Sequence, residues 1–96
     1  MERPVKLDEG EIGSRLGALT GWTRSDDEIR TSFERADFPA AIAFVVNVGF
    51  LAEAADHHPD IDIRWRTVHL ALTTHDAGGL TELDFALAAQ IEEIAR

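Results

Sequence analysis

The chain is 96 residues long, enough for one compact domain and too short for two. Nine Lys and Arg stand against eighteen Asp and Glu, a formal net charge of -9, which excludes a phosphate-backbone binder because that affinity comes from clustered Lys and Arg. With no cysteine there is no disulfide framework, no thiol nucleophile and no thiolate metal site.

The first expected element is a short helix within residues 7–19. There Leu7, Ile12, Leu16 and Leu19 follow a loosely helical spacing, opened by Asp8 and weakened by Gly10 and Gly13. Trp22-Thr23-Arg24 and the run Glu28 to Phe33 then read as two strands around the polar turn Ser25-Asp26-Asp27. Asp37-Phe38-Pro39 supplies an N-cap with proline in the first turn, and the apolar run behind it continues as helix to about Ala55. Ile42, Phe44, Val45, Val46, Val48, Phe50 and Leu51 make that helix apolar nearly all round, so it needs cover on more than one side. One sheet covers one face, and either the last helix or a second subunit covers the remainder. The stretch Phe38 to Ala52 is broken by Asn47 and falls short of the roughly 20 apolar residues that span a bilayer. Met1 to Lys6 is not followed by the apolar core of a secretory signal. The expectation is a cytoplasmic protein that engages neither membrane nor nucleic acid.

Asp60 to Trp65 alternates strictly between polar and apolar, and Val68 to Thr74 keeps the same period, with Arg66-Thr67 as the tight connection. Gly78-Gly79 then leads into Leu80, Leu83, Leu87, Ile91 and Ile94, an amphipathic helix running to the C-terminus. The order α-β-β-α-β-β-α has no long crossover within either strand pair. It predicts one α+β domain over residues 1–96, a four-stranded antiparallel sheet with helices packed on one face.

His57 and His58 follow the central helix and His75 ends the fourth strand, two points that a hairpin returns to the same end of a sheet. His69 is mid-strand and reads as a structural or interface residue. Each feature alone has an ordinary explanation. Histidines beside a helix C-terminus complement its dipole, Thr81-Glu82-Leu83-Asp84 spells a capping box, and Glu53 and Asp56 fit a solvated helix edge. Together they make an imidazole-rich pocket with acids at hand to orient the rings, and histidine is the usual group for handing a proton to a leaving oxygen. Three histidines and a carboxylate also suit zinc. Adjacent His57 and His58 project differently, however, so no metal is expected. Ser14, Ser25 and Ser32 lie in no triad context.

Two blocks carry a resemblance: Asp56-His57-His58-Pro59, and, after a strand pair, Thr74-His75-Asp76-Ala77-Gly78-Gly79-Leu80-Thr81-Glu82-Leu83-Asp84. With Gly21-Trp22, Phe33, Asp37-Phe38 and Ala52-Glu53 ahead of them, the chain resembles the pterin-4a-carbinolamine dehydratase family over nearly its whole length, most loosely over residues 1–20. The resemblance implies a cofactor-free dehydratase that removes water from 4a-hydroxytetrahydropterin to give quinonoid dihydropterin. It also implies assembly into dimers or tetramers. Carried over residue by residue, it names His57, His58, His75 and Asp84 as catalytic. Trp22, Glu53, Asp56, Pro59, Thr73, Thr74 and Asp76 join the three histidines around the pterin substrate. Ala54 and Trp65 depart from the Lys and Tyr frequent in the family, and neither removes a proton-transfer group. The alternative function is a binding module that acts as a dimerisation cofactor for a partner protein, as members of that family also do.

Overall fold

The structure, a computed structural model, describes residues 4–96; residues 1–3 of the expected domain lie outside the described residues. Helix α1 (Glu9–Gly17) starts where Asp8 accepts a hydrogen bond from the Glu11 amide at 2.9 Å. Strands β1 (Thr23–Ser25) and β2 (Glu28–Glu34) follow, joined by the two-residue turn Asp26-Asp27. Helix α2 (Phe38–Ala55) is capped by Asp37, whose carboxylate takes the Ala40 amide at 2.8 Å, and Pro39 sits in the first turn where no amide partner is required. Strands β3 (Asp60–Arg64) and β4 (Thr67–Leu72) form the second hairpin, and α3 (Glu82–Ala95) closes the chain.

The sheet order is β1-β2-β4-β3, antiparallel throughout. In the central pair Ile29 lies opposite Leu72, Thr31 opposite Leu70 and Phe33 opposite Val68, so one alternation of each strand feeds a single inner face. Ile61 and Ile63 of β3 extend that face opposite Leu70 and Val68. The helices cover it, and the core runs from Ile12 and Trp22 through Ile29, Val68, Leu70 and Leu72 to Phe85, Leu87 and Ile91. The shortest dimension of the molecule, 19 Å, is that of one sheet and one layer of helices at about 10 Å each. The expected α+β architecture is the observed one. On the opposite sheet face the register partners Ser32 and His69 meet with Oγ 2.6 Å from Nδ1, exposed to solvent and away from the other histidines.

Helix α2 divides its apolar surface in two. Ala41, Phe44, Val48 and Ala52 are buried against α3 and the sheet, whereas Phe38, Ile42, Val46 and Phe50, each one turn from the next, remain 39–69% exposed. The last helix therefore covers one side, and the other side carries an open apolar stripe. At 18 residues and mean hydropathy 1.7, α2 is longer than the run read from the sequence and reaches the lower limit for crossing a membrane, but its inner face is built as a core helix.

Three sequence expectations need correction. Trp65 does not continue β3 on the inner face. Arg64 pairs with Thr67, which leaves Trp65-Arg66 as a two-residue turn in which Trp65 has φ 59° and is 82% exposed. A positive φ at the first turn position matches the right-handed twist of the strands, and strict alternation cannot distinguish that position from one more strand residue. Strand β4 ends at Leu72 instead of Thr74, because Thr74 pairs with Gly79 outside the sheet. Helix α3 begins only after Thr81, so Leu80 precedes it and its carbonyl accepts the Leu7 amide at 2.9 Å.

A left-handed conformation costs a residue with a Cβ about 1–2 kcal/mol, part of which glycine gives back through its unfolded-state freedom. Trp65→Gly, which removes little packing at 82% exposure, is expected to stabilise the fold by about 0.5–1 kcal/mol, read as a higher urea midpoint at unchanged slope.

Candidate active site

Three chain reversals meet at one end of the sheet. The first ends α2: Asp56 adopts the left-handed conformation (φ 50°, ψ 43°), its amide bonds to the Glu53 carbonyl at 3.2 Å, and the His57 amide bonds to the Ala52 carbonyl at 3.1 Å. This is the pattern glycine most often supplies, and aspartate is among the few side chains that tolerate it. The reversal turns His57 into the protein and leaves His58 in solvent.

The second reversal follows β4. The Thr73 hydroxyl donates to the Asp27 carbonyl of the first hairpin turn. Thr74 and Gly79 exchange backbone hydrogen bonds at 3.2 and 3.3 Å, closing off a lobe of four residues that contains a single 3-10 turn, His75–Ala77. Gly78 completes the lobe at φ 74°, and Gly79 lets the chain pass Lys6, whose Cε would lie 2.8 Å from an added Cβ. His75 and Asp76 are thereby lifted into solvent.

The third reversal is the start of α3. The Thr81 hydroxyl accepts the Leu83 amide at 3.2 Å and the Asp84 carboxylate accepts the Thr81 amide at 2.9 Å, a complete capping box. Asp84 does more than cap. It has no solvent exposure, its Oδ1 lies 2.6 Å from His57 Nε2, and its Oδ2 accepts the Thr74 hydroxyl at 2.9 Å. Burying a carboxylate costs several kcal/mol, and three donors around it offset that cost.

These elements enclose a cleft of about 760 Å³ whose walls include Asp56, His57, His58, Thr73, Thr74, His75 and Asp76. Pro4, Ala55 and Leu83 supply apolar wall that sequence reasoning missed. Leu83 was legible only as an i, i+4 neighbour of Leu87, and nothing in the sequence links Pro4 to the histidines. Among the described residues no group of three or more His, Cys, Asp or Glu is arranged to hold a metal ion. The cleft combines one anchored, buried imidazole with two exposed ones, so it can hold a flat polar molecule and move protons at more than one edge of it.

Not every expected residue reaches the cleft. Asp84 is wholly buried and reaches the cleft only through its hydrogen bonds to His57 and Thr74. Trp22 lies in the core, 4% exposed, with its indole N–H donating to Glu92 Oε1 at 2.7 Å on the second half of α3. A buried indole needs an acceptor for its N–H, and Glu92 fills that need. Glu53 accepts from His58 Nε2 at 3.1 Å, a surface pair that holds the ring loosely. Pro59 is half-buried behind His58 and is not part of the cleft wall.

A family model described as pterin 4 alpha carbinolamine dehydratase matches residues 5–94. A provisionally named pterin-4-alpha-carbinolamine dehydratase of Roseiflexus sp. (strain RS-1) is 70% identical over 90 residues, 94% of this chain and 97% of that one. A protein of the same provisional name from Nocardia farcinica is 56% identical over 94% of this chain and 95% of its own. The crystal structure of a transcriptional coactivator/pterin dehydratase from Brucella melitensis superposes with a TM-score of 0.91 at 35% identity, covering 95% of this chain and 99% of that one. A pterin dehydratase-like protein identified as a RuBisCO assembly factor in the alpha-carboxysome shares the fold at a TM-score of 0.63 and 21% identity, over 77% of this chain and 86% of its own.

Removing the buried acceptor leaves its donors without partners. Asp84→Ala is expected to lower the unfolding free energy by about 3 kcal/mol, measured by urea denaturation. A loss below about 1 kcal/mol would show that the network is not integral to the fold.

Proposed function

The chain belongs to the pterin 4 alpha carbinolamine dehydratase family, and from that premise we propose that it removes water from 4a-hydroxytetrahydrobiopterin to give quinonoid dihydropterin, with no cofactor. The reaction breaks the bond from C4a to its hydroxyl oxygen. One proton is delivered to that oxygen as water leaves, and one is taken from a ring nitrogen of the pterin. Two imidazoles at different edges of the ring perform both transfers.

His57 and His75 are the proton-transfer groups in this reading, each serving a different face of the substrate, and His58 positions it. Asp56, Thr73, Thr74 and Asp76 line the pterin. The observation that carries the reading is the buried Asp84–His57 pair at 2.6 Å in the wall of a cleft that also takes in His58 and His75. An imidazole whose far nitrogen is held by a carboxylate is fixed in orientation, as a group that must transfer protons repeatedly has to be.

The second part of the proposal is self-association through α2. The stripe Phe38, Ile42, Val46 and Phe50 is larger than the scattered apolar residues normal on a monomer. The same stripe favours the second reading, a binding module that holds a partner protein's dimer together.

Purified protein is expected to accelerate dehydration of synthetic carbinolamine, followed by its ultraviolet absorbance. His57→Ala and His75→Ala are each expected to lower kcat by roughly 10²-fold, and unchanged turnover in either removes that residue from the mechanism. Val46→Glu, a charge in the middle of the stripe, is expected to convert the wild-type oligomer into monomer in sedimentation velocity. A folded wild type that is monomeric and leaves the carbinolamine untouched would transfer support to the binding module.

A further inference from the structure

We infer that Thr74 and Thr81 are positioning residues that hold His57 as its Nε2–H tautomer, leaving Nδ1 as the atom through which the ring exchanges protons in the cleft. The activity part of this inference rests on the dehydratase reading; the tautomer part does not.

An amide only donates, so the Thr81 N–H at 2.9 Å makes Asp84 Oδ2 an acceptor. The Thr74 hydroxyl, also 2.9 Å from Oδ2, gives its one hydrogen there. The 2.8 Å contact between the two threonine hydroxyls then has a single possible direction, from Thr81 to Thr74. Thr81 Oγ1 in turn accepts the Leu83 amide. Each hydroxyl is thus both donor and acceptor, and the chain runs one way, from the start of α3 into the carboxylate.

With two donors already on Oδ2, a proton on that oxygen would face the Thr81 N–H, and across Oδ1 the shared proton belongs to the ring because a carboxyl is a stronger acid than an imidazolium, so Asp84 serves as an acceptor only. Oδ1 is left for His57 Nε2 at 2.6 Å, and that nitrogen must carry a hydrogen. In the neutral ring the remaining nitrogen, Nδ1, is bare. It has no hydrogen-bond partner among the described residues, and His57 forms part of the cleft wall. Thr81 is fully buried, and Thr74, though its residue forms part of the cleft wall, has its hydroxyl committed to Asp84, so both hydroxyls act on His57 through that carboxylate.

Thr74→Val is the primary test. It keeps the shape of the side chain and leaves the backbone pairing with Gly79 intact, whereas Thr81 also caps α3. Long-range ¹H–¹⁵N spectra of the neutral imidazoles report the tautomer directly. Wild type is expected to show His57 as Nε2–H alone, Thr74→Val a mixture containing Nδ1–H, and Thr74→Ser the wild-type spectrum. In the carbinolamine assay Thr74→Val is expected to lose about 10-fold or more in kcat with KM little changed, and Thr74→Ser to recover it. A wild-type Nδ1–H tautomer, or a Thr74→Val spectrum identical to wild type, overturns the inference. Wild-type kcat in a Thr74→Val protein whose tautomer has shifted overturns the assignment of Nδ1. A wild type that does not dehydrate the carbinolamine overturns the dehydratase reading, and the spectra still decide the network.

Discussion

The carboxylate of Asp84, sealed from solvent, joins three segments that are distant in the chain: the turn after α2 through His57, the end of β4 through Thr74, and the start of α3 through Thr81. A buried anion tolerates no vacancy among its donors, so all three segments are held to one arrangement. The direction of α3, the depth of His57 and the level at which the strand releases the His75 lobe are consequently set together. The geometry of the cleft in this small fold is inseparable from the way its last helix begins.

That coupling explains how Thr81-Glu82-Leu83-Asp84 caps a helix and anchors a histidine at once. Spacing in the sequence shows a capping box and cannot show that the second carboxylate oxygen points at a histidine 27 residues earlier. Likewise the His57-His58 pair is visible as a motif, but the reason its members face opposite ways is the left-handed Asp56, which no periodicity announces. The hydrophobic patterns were enough for the element order and for the two capped helices, where Asp8 and Asp37 stand in the positions read from sequence. They failed at Trp65, since a turn residue in register with the alternation reads as strand, whereas Trp22, which the resemblance put beside the substrate, lies in the core with its indole on Glu92 seventy positions away.

Helix α2 illustrates how a short domain handles an element that is apolar all round. Its inner row packs under α3 and over the sheet, and its end supplies the reversal that delivers His57. Its outer row contributes nothing to that delivery. The two rows therefore differ in what they do, one supporting the cleft and one forming an open apolar surface, without competing for the same side chains.

The lobe carrying His75 is closed by the backbone of Thr74 and Gly79, with no side chain of the lobe taking part in the closure. Asp76 and Ala77 can therefore be exchanged without moving the strand before them or the helix after them. The molecule separates into a fixed chassis, the anchored imidazole and its threonines, and a separately fastened fitting that presents His75. Diversification of ligand preference in this architecture has an address: two positions on a loop whose ends are already fastened.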